Sequence, residues 1–283
     1  MSWFTLILFT VLIDSTIILA QKKWATKGSH STLITGALYQ IFTGLMFLLF
    51  ALATSNFNLS FGLIGVFVIV ISSTLYTLTS SLWYFAIHRV SASTATIVLS
   101  TRTIFALGLG FLLLGETIGF KHIVGMVLIM VGVIYSQFKD RVNMNYAHIG
   151  ILLLNALVAS FASIVDRVAT KAMNLYTYLA LAFLIPGLAM LVIQKLSHKR
   201  LSIHYSKQYL VHVALVSALF FFSATAYIFG LSIAPSTGLV VLVNQTKIVL
   251  TVVLAAIFLH ERGNVRQKVV SSILCLGGLY LLN

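Results

Sequence analysis

Five ionisable side chains stand where the chain is otherwise apolar: Asp14, Arg102, Asp166, Arg167 and Lys247. Arg102 lies near the middle of "TATIVLSTRTIFALGLGFLLLGE", residues 94–116, and Lys247 interrupts "NQTKIVLTVVL" in the same way. Asp14 is also well inside its apolar stretch, whereas Asp166 and Arg167 are expected nearer one end, within reach of an interface. An ionised group at the centre of a bilayer costs at least about 2.5–3.5 kcal/mol, so Asp14, Arg102 and Lys247 must point away from lipid. Two cations around one cavity suit an anion, a carboxylate or a phosphate. Arginine keeps its charge there, while a buried lysine can lose its proton.

Helical spacing gives Lys247 a polar stripe, with Asn244 at i−3 and Thr251 at i+4; Arg102 has only Leu99, Ala95 and Ala106 on its own face. In the alternative reading the charges are structural ties, Arg102 to Asp14 and Lys247 to Asp166 or to backbone carbonyls. Asp14 is a candidate either to tune Lys247 or to carry a coupling proton. Ser72, Tyr76, Thr79 and Trp83 form a second stripe, and Phe220, Ser223 and Tyr227 a third, with Tyr39, Thr43 and Asn155 as further candidates to line a cavity. Tyr76, Trp83 and Tyr227 would pack on the organic part of a bound molecule, and Tyr39 would join them. Gly125, Gly132 and Gly277 are expected to allow close helix packing, Pro186 to kink its helix and Pro235 to precede one. The histidines lie mainly at span ends, no H-E-x-x-H occurs and Cys275 is the only cysteine, so neither a metal site nor a cofactor is expected.

The elements that carry these residues follow from the totals. In 283 residues, 60% of side chains are hydrophobic and 8% charged, and mean hydropathy is +1.05, outside the range of a soluble domain. A net charge of +13 would suit nucleic acid, but the basic residues sit in short connectors, where they act as topology signals. A hydrocarbon core about 30 Å thick takes ~20 residues of helix. Ten such stretches occur: 2–21, 32–53, 62–87, 91–114, 119–138, 146–169, 175–194, 208–231, 236–260 and 266–283. The fold expected is an all-α membrane protein of ten transmembrane helices.

Sliding the chain on itself by 145 positions lays Arg102 on Lys247, Glu116 on Glu261, Gly132 on Gly277 and Tyr135 on Tyr280. Two five-helix repeats are predicted, 1–142 and 143–283, and an odd number of spans makes the second inverted. Lys and Arg then collect 13 on one side and 3 on the other, which puts the basic side in the cytoplasm and both termini outside.

Ten spans in two inverted halves, with "FALGLGFLLLGETIG" and "VVLAAIFLHERGN" closing the fourth and ninth, resemble the drug/metabolite transporter superfamily and its EamA-like branch. Where EamA-like members commonly carry a proline ahead of the glutamate of that motif, Thr103 and Ile248 stand here. The lysine in "NQTKIVLTVVL" is similar to central basic residues of the organophosphate and nucleotide-sugar branches, which implies that Lys247 and Arg102 are anion ligands. The resemblance also implies termini in the cytoplasm, opposite to the charge count.

The expected function is that of a secondary transporter, not an enzyme, moving a small polar, anionic metabolite by alternating access. An exporter of amino acids or of other zwitterionic or cationic compounds is the rival within transport, with Asp14 meeting an ammonium. A receptor, a scaffold or a membrane-embedded enzyme is the rival of another class, and inverted halves argue against each. Expected partners are the substrate, a coupling proton or exchanged metabolite, and membrane lipids, with no nucleic acid, in a monomer or homodimer of a bacterial inner (plasma) membrane.

Overall fold

The computed structural model describes residues 2–25, 32–114, 119–137, 146–196, 206–235, 237–259 and 265–281. Twelve helices run through them: α1 (Trp3–Ala25), α2 (Thr32–Ala53), α3 (Leu63–Ile87), α4 (Ala92–Leu99), α5 (Arg102–Leu114), α6 (Phe120–Gln137), α7 (Tyr146–Ala172), α8 (Leu175–Leu196), α9 (Lys207–Ile233), α10 (Thr237–Gln245), α11 (Lys247–Phe258) and α12 (Val265–Leu281). Helix is what such a sequence must form, because a backbone in hydrocarbon has to satisfy its own N–H and C=O groups within each segment.

Seven described stretches are long and apolar enough to cross a bilayer, among them Ala92–Leu109, which runs through α4 into α5. Shorter apolar helices, Ile123–Gly132 and Val243–Phe258, lie in α6 and across α10 and α11. The outer surface is apolar, with Leu49, Phe67, Leu112, Leu188 and Phe222 all more than half exposed, as lipid contact requires. Much of what is buried is polar: Thr43, Ser160, Ser163 and Asp166 are covered alongside Tyr39, Phe47, Leu152 and Met190. An apolar outside around a partly polar inside marks an integral membrane protein.

Two long pairings organise the bundle: α1 lies along α9, and α7 along α3. The helices α2 and α8 form a further pair, as do α6 and α12. The close approach of α6 and α12 depends on glycine. A Cβ on Gly132 would stand 2.8 Å from Cys275 Sγ and 2.9 Å from Ser271 O, and one on Gly278 would stand 2.5 Å from Gly125 O. Gly277, expected to serve this role, has open space beside it; its neighbour Gly278 makes the contact instead. Because Gly278 faces backbone rather than a flexible side chain, Gly278→Ala should cost about 1–3 kcal/mol by overpacking, whereas Gly277→Ala should be close to neutral. Thermal unfolding of the two variants in one detergent checks the difference.

Pro186 lies inside α8 and is buried, and Pro235 stands two residues ahead of α10. The repeat pair Glu116 and Glu261 and the connectors 138–145 and 197–205 lie outside the described residues.

Candidate functional site

The fourth and ninth predicted spans are not continuous helices. Each breaks in its middle, after Leu99 and after Gln245, where the backbone tightens to hydrogen bonds three residues long: Ser100 N to Ile97 O at 3.1 Å, Thr101 N to Val98 O at 3.2 Å and Thr246 N to Val243 O at 3.1 Å. Hydroxyls cause or reinforce the change, since Ser100 Oγ, Thr101 Oγ1 and Thr246 Oγ1 donate to those same carbonyls at 2.6, 2.8 and 2.7 Å. The carbonyl of Leu99 accepts instead from Gln245 Nε2 at 3.3 Å, which joins the two breaks. Immediately after them stand Arg102, the first residue of α5, and Lys247, the first of α11.

Both cations line one cavity of about 300 Å3, with contributions from α1, α2, α3, α7, α8 and α9 as well. Of the residues expected there from sequence, Asp14, Tyr39, Thr43, Tyr76, Thr79, Trp83, Asn155, Phe220, Ser223, Tyr227 and Asn244 all face it, and Asp166, which was not expected there, joins them. Thr251 does not: it is fully buried, and the cavity wall ends within the turn that begins at Lys247. Ser72 is likewise buried away from the cavity and donates to Ile69 O.

The pairing of charges is not the one drawn for structural ties, Arg102 to Asp14 and Lys247 to Asp166; it sets Asp14 beside Lys247, the neighbour it was expected to tune. The one ion pair among the described residues joins Lys247 Nζ to Asp14 Oδ2 at 2.9 Å. Lys247 also donates to Asn244 Oδ1 at 2.8 Å, while Asn244 donates to Thr10 and to Asp14, and Ser223 Oγ donates to Asp14 Oδ1 at 2.5 Å. The lysine and its carboxylate therefore form a closed network across α1, α9, α10 and α11.

Arg102 sits differently. Its terminal nitrogen donates to Ser163 Oγ, its backbone carbonyl accepts from Ser160 Oγ at 2.9 Å, and its buried Nε has no hydrogen-bond partner among the described residues. Both serines belong to α7, so the polar company of Arg102 comes from another helix, out of reach of any spacing rule along its own. Asp166, expected to reach an interface, is instead buried at 1% exposure: Tyr76 OH donates to both of its oxygens at 2.9 Å and Tyr178 OH to one at 2.6 Å. Packing against α3 and α8 turns it inward. Arg167, the next residue of α7, is only partly buried.

Aromatic rings form much of the remaining wall. Gln21, which sequence reasoning passed over, fixes two of them: Nε2 donates to Tyr84 OH at 2.7 Å and Oε1 accepts from Trp83 Nε1 at 2.8 Å. Tyr39 stacks on Tyr84 with ring centres 5.7 Å apart, and its hydroxyl has no hydrogen-bond partner among the described residues. The only signal for Gln21 was a polar residue late in an apolar run.

An all-helical, multi-pass membrane protein with a charged central cavity is thus defined. The family model described as the EamA-like transporter family matches twice, over residues 1–137 and 147–283, nearly the whole chain. The chain belongs to the EamA-like transporter family. No curated protein matches the sequence. Solved structures do, including a crystal structure with a TM-score of 0.74 at 15% identity, over 99% of this chain and 95% of that one, a likeness of fold.

Proposed function

We propose that this chain is a secondary transporter that carries a small metabolite with a negatively charged group, and that Arg102 holds that group. The observation that carries the reading is the inequality of the two cations. Lys247 is already compensated by Asp14, whereas Arg102 meets hydroxyls and keeps donors to spare. A guanidinium in the middle of a membrane protein with no carboxylate in direct contact is costly, and a carboxylate or phosphate that fits its planar fork relieves that cost. The helix ends add to the preference. A cation at the first residue of α5 or α11 sums with the positive end of the helix rather than offsetting it; Asp14 answers this at α11, and at α5 it favours a bound anion.

Alternating access between two inverted halves, 1–142 and 143–283, is the mechanism proposed. Its support is that the two breaks and their cations recur 145 positions apart, and that α1 on α9 is mirrored by α3 on α7, as α4 on α11 is by α10 on α5. By the positive-inside rule, the ends rich in Lys and Arg face the cytoplasm of a bacterial inner membrane and the termini lie outside.

A second reading draws on Asp166. Held by phenols rather than by a cation, it leaves a negative charge on the wall of the same cavity as Arg102. A zwitterion would satisfy both. Thermal unfolding of the purified chain in detergent separates the readings, because a ligand at 100 times its Kd adds about 2.7 kcal/mol of stability. Small carboxylates or organic phosphates should raise Tm. A rise with amino acids alone would select the zwitterion, and a rise with amines alone would remove Arg102 from the account.

A further inference from the structure

Outside the cavity, two cations make the same contact at the two ends of the molecule. Lys22, near the end of α1, donates from Nζ to Ile87 O and to Val90 O, each at 2.8 Å. These carbonyls belong to the elbow between α3 and α4. Arg167, near the end of α7, donates to Ala234 O at 3.1 Å and to Pro235 O at 3.3 Å, carbonyls of the elbow between α9 and α10. Lys22 and Arg167 are 145 positions apart, and so are Val90 and Pro235. The contact therefore recurs at the interval that separates Arg102 from Lys247.

The two contacts lie at opposite ends. The loop between α2 and α3 meets the start of α8, where Asn58 N donates to Thr177 Oγ1 and Thr177 Oγ1 to Asn56 O, so the end of α7 lies beside the start of α3. The start of α7 lies beside the end of α3, where His148 packs on Phe85. Lys22 is at the latter end and Arg167 at the former.

Each contact also joins helices that otherwise meet over little surface, with Gln21 on Trp83 and Tyr84 a further polar tie between α1 and α3. Helix α1 rests on α9 and α11, yet Lys22 grips the elbow of α3 and α4; α7 rests on α3 and α5, yet Arg167 grips the elbow of α9 and α10. Each elbow leads directly into a broken helix that ends at a cavity cation. Positive charge on carbonyls at a helix end is a favourable, directional contact, and separating the two groups at either end breaks it.

We propose that Lys22 and Arg167 are equivalent latches, each holding shut one end of the cavity until that side opens. This rests on the alternating-access reading given above. The test uses the full chain in proteoliposomes, with Cys275→Ala and one reporter cysteine, Ile18→Cys toward the Lys22 end or Ala162→Cys toward the Arg167 end, labelled by a membrane-impermeant maleimide applied from each side. Lys22→Met should speed labelling of Ile18→Cys at least about fivefold and slow that of Ala162→Cys, Arg167→Met should do the reverse, and Lys22→Arg should match the parent, since a coupling of ~1 kcal/mol is already fivefold. Lys22→Gln, which keeps a neutral donor, replaces Lys22→Met if that variant does not fold, with the same signs expected. Reporters that label from opposite sides but ignore both substitutions, or move together, overturn the latches and leave alternating access standing. Reporters that both label from one side only overturn the two together.

Discussion

Arg102→Gln is expected to abolish recognition of the negatively charged group while leaving the fold intact. The change deletes a charge-assisted hydrogen bond to Ser163, a loss of about 1.5–3 kcal/mol, but it also removes a charge whose burial costs about 2.5–3.5 kcal/mol, so folding stability should stay within about 1 kcal/mol. Binding has no such offset. An anion desolvated in the cavity would face glutamine where it had a guanidinium, and a lost buried charge pair of about 3 kcal/mol weakens affinity ~100-fold. Arg102→Lys keeps the charge but not the planar fork and should fall between, near ~10-fold. Tm with and without a saturating carboxylate or phosphate checks both halves: the unliganded Tm should hardly move, and the ligand-induced rise should disappear.

The second large effect belongs to Asp14. Asp14→Ala leaves Lys247 charged and without its carboxylate, with the hydroxyl of Ser223 and one amide proton of Asn244 deprived of their acceptor as well. Breaking a buried pair from one side costs about 3–5 kcal/mol, and because Asp14 and Lys247 keep 21% and 15% of their side chains exposed, the low end of that range is expected. Replacing both, Asp14→Asn with Lys247→Gln, should recover most of the loss, since no uncompensated charge remains; a double-mutant cycle on Tm measures the coupling. The same variants also discriminate between the cations. If Lys247 were the anion ligand, Asp14→Asn would free it and tighten anion binding, whereas with Arg102 as the ligand that affinity should barely change.

Much of the architecture was legible because a bilayer dictates helix length. Predicted limits such as 32–53 and 62–87 fall within a residue of α2 and α3. The breaks were not legible as breaks, since Ser100, Thr101 and Thr246 are unremarkable in an apolar run until their hydroxyls are seen on carbonyls three residues back. Spacing along one helix found Asn244 beside Lys247 but also promised Thr251, because a stripe gives direction without saying how deep a cavity runs. Asp14 was legible as a neighbour for Lys247, but other partners on separate helices stayed hidden: Ser163 for Arg102, and Tyr76 and Tyr178 for Asp166. Asp166 was expected near an interface because α7 was expected to end at residue 169, and it continues to Ala172. Gln21 escaped because one polar residue has no period to reveal it.

The central claim is that Arg102 holds the negative group of a solute in transit. Exchange of labelled carboxylates and organic phosphates across proteoliposomes, measured for wild type and Arg102→Gln side by side, tests it most directly. Flux through wild type that falls to background in Arg102→Gln is the predicted result. Equal flux through both proteins, or flux only of solutes that carry no negative charge, would contradict it.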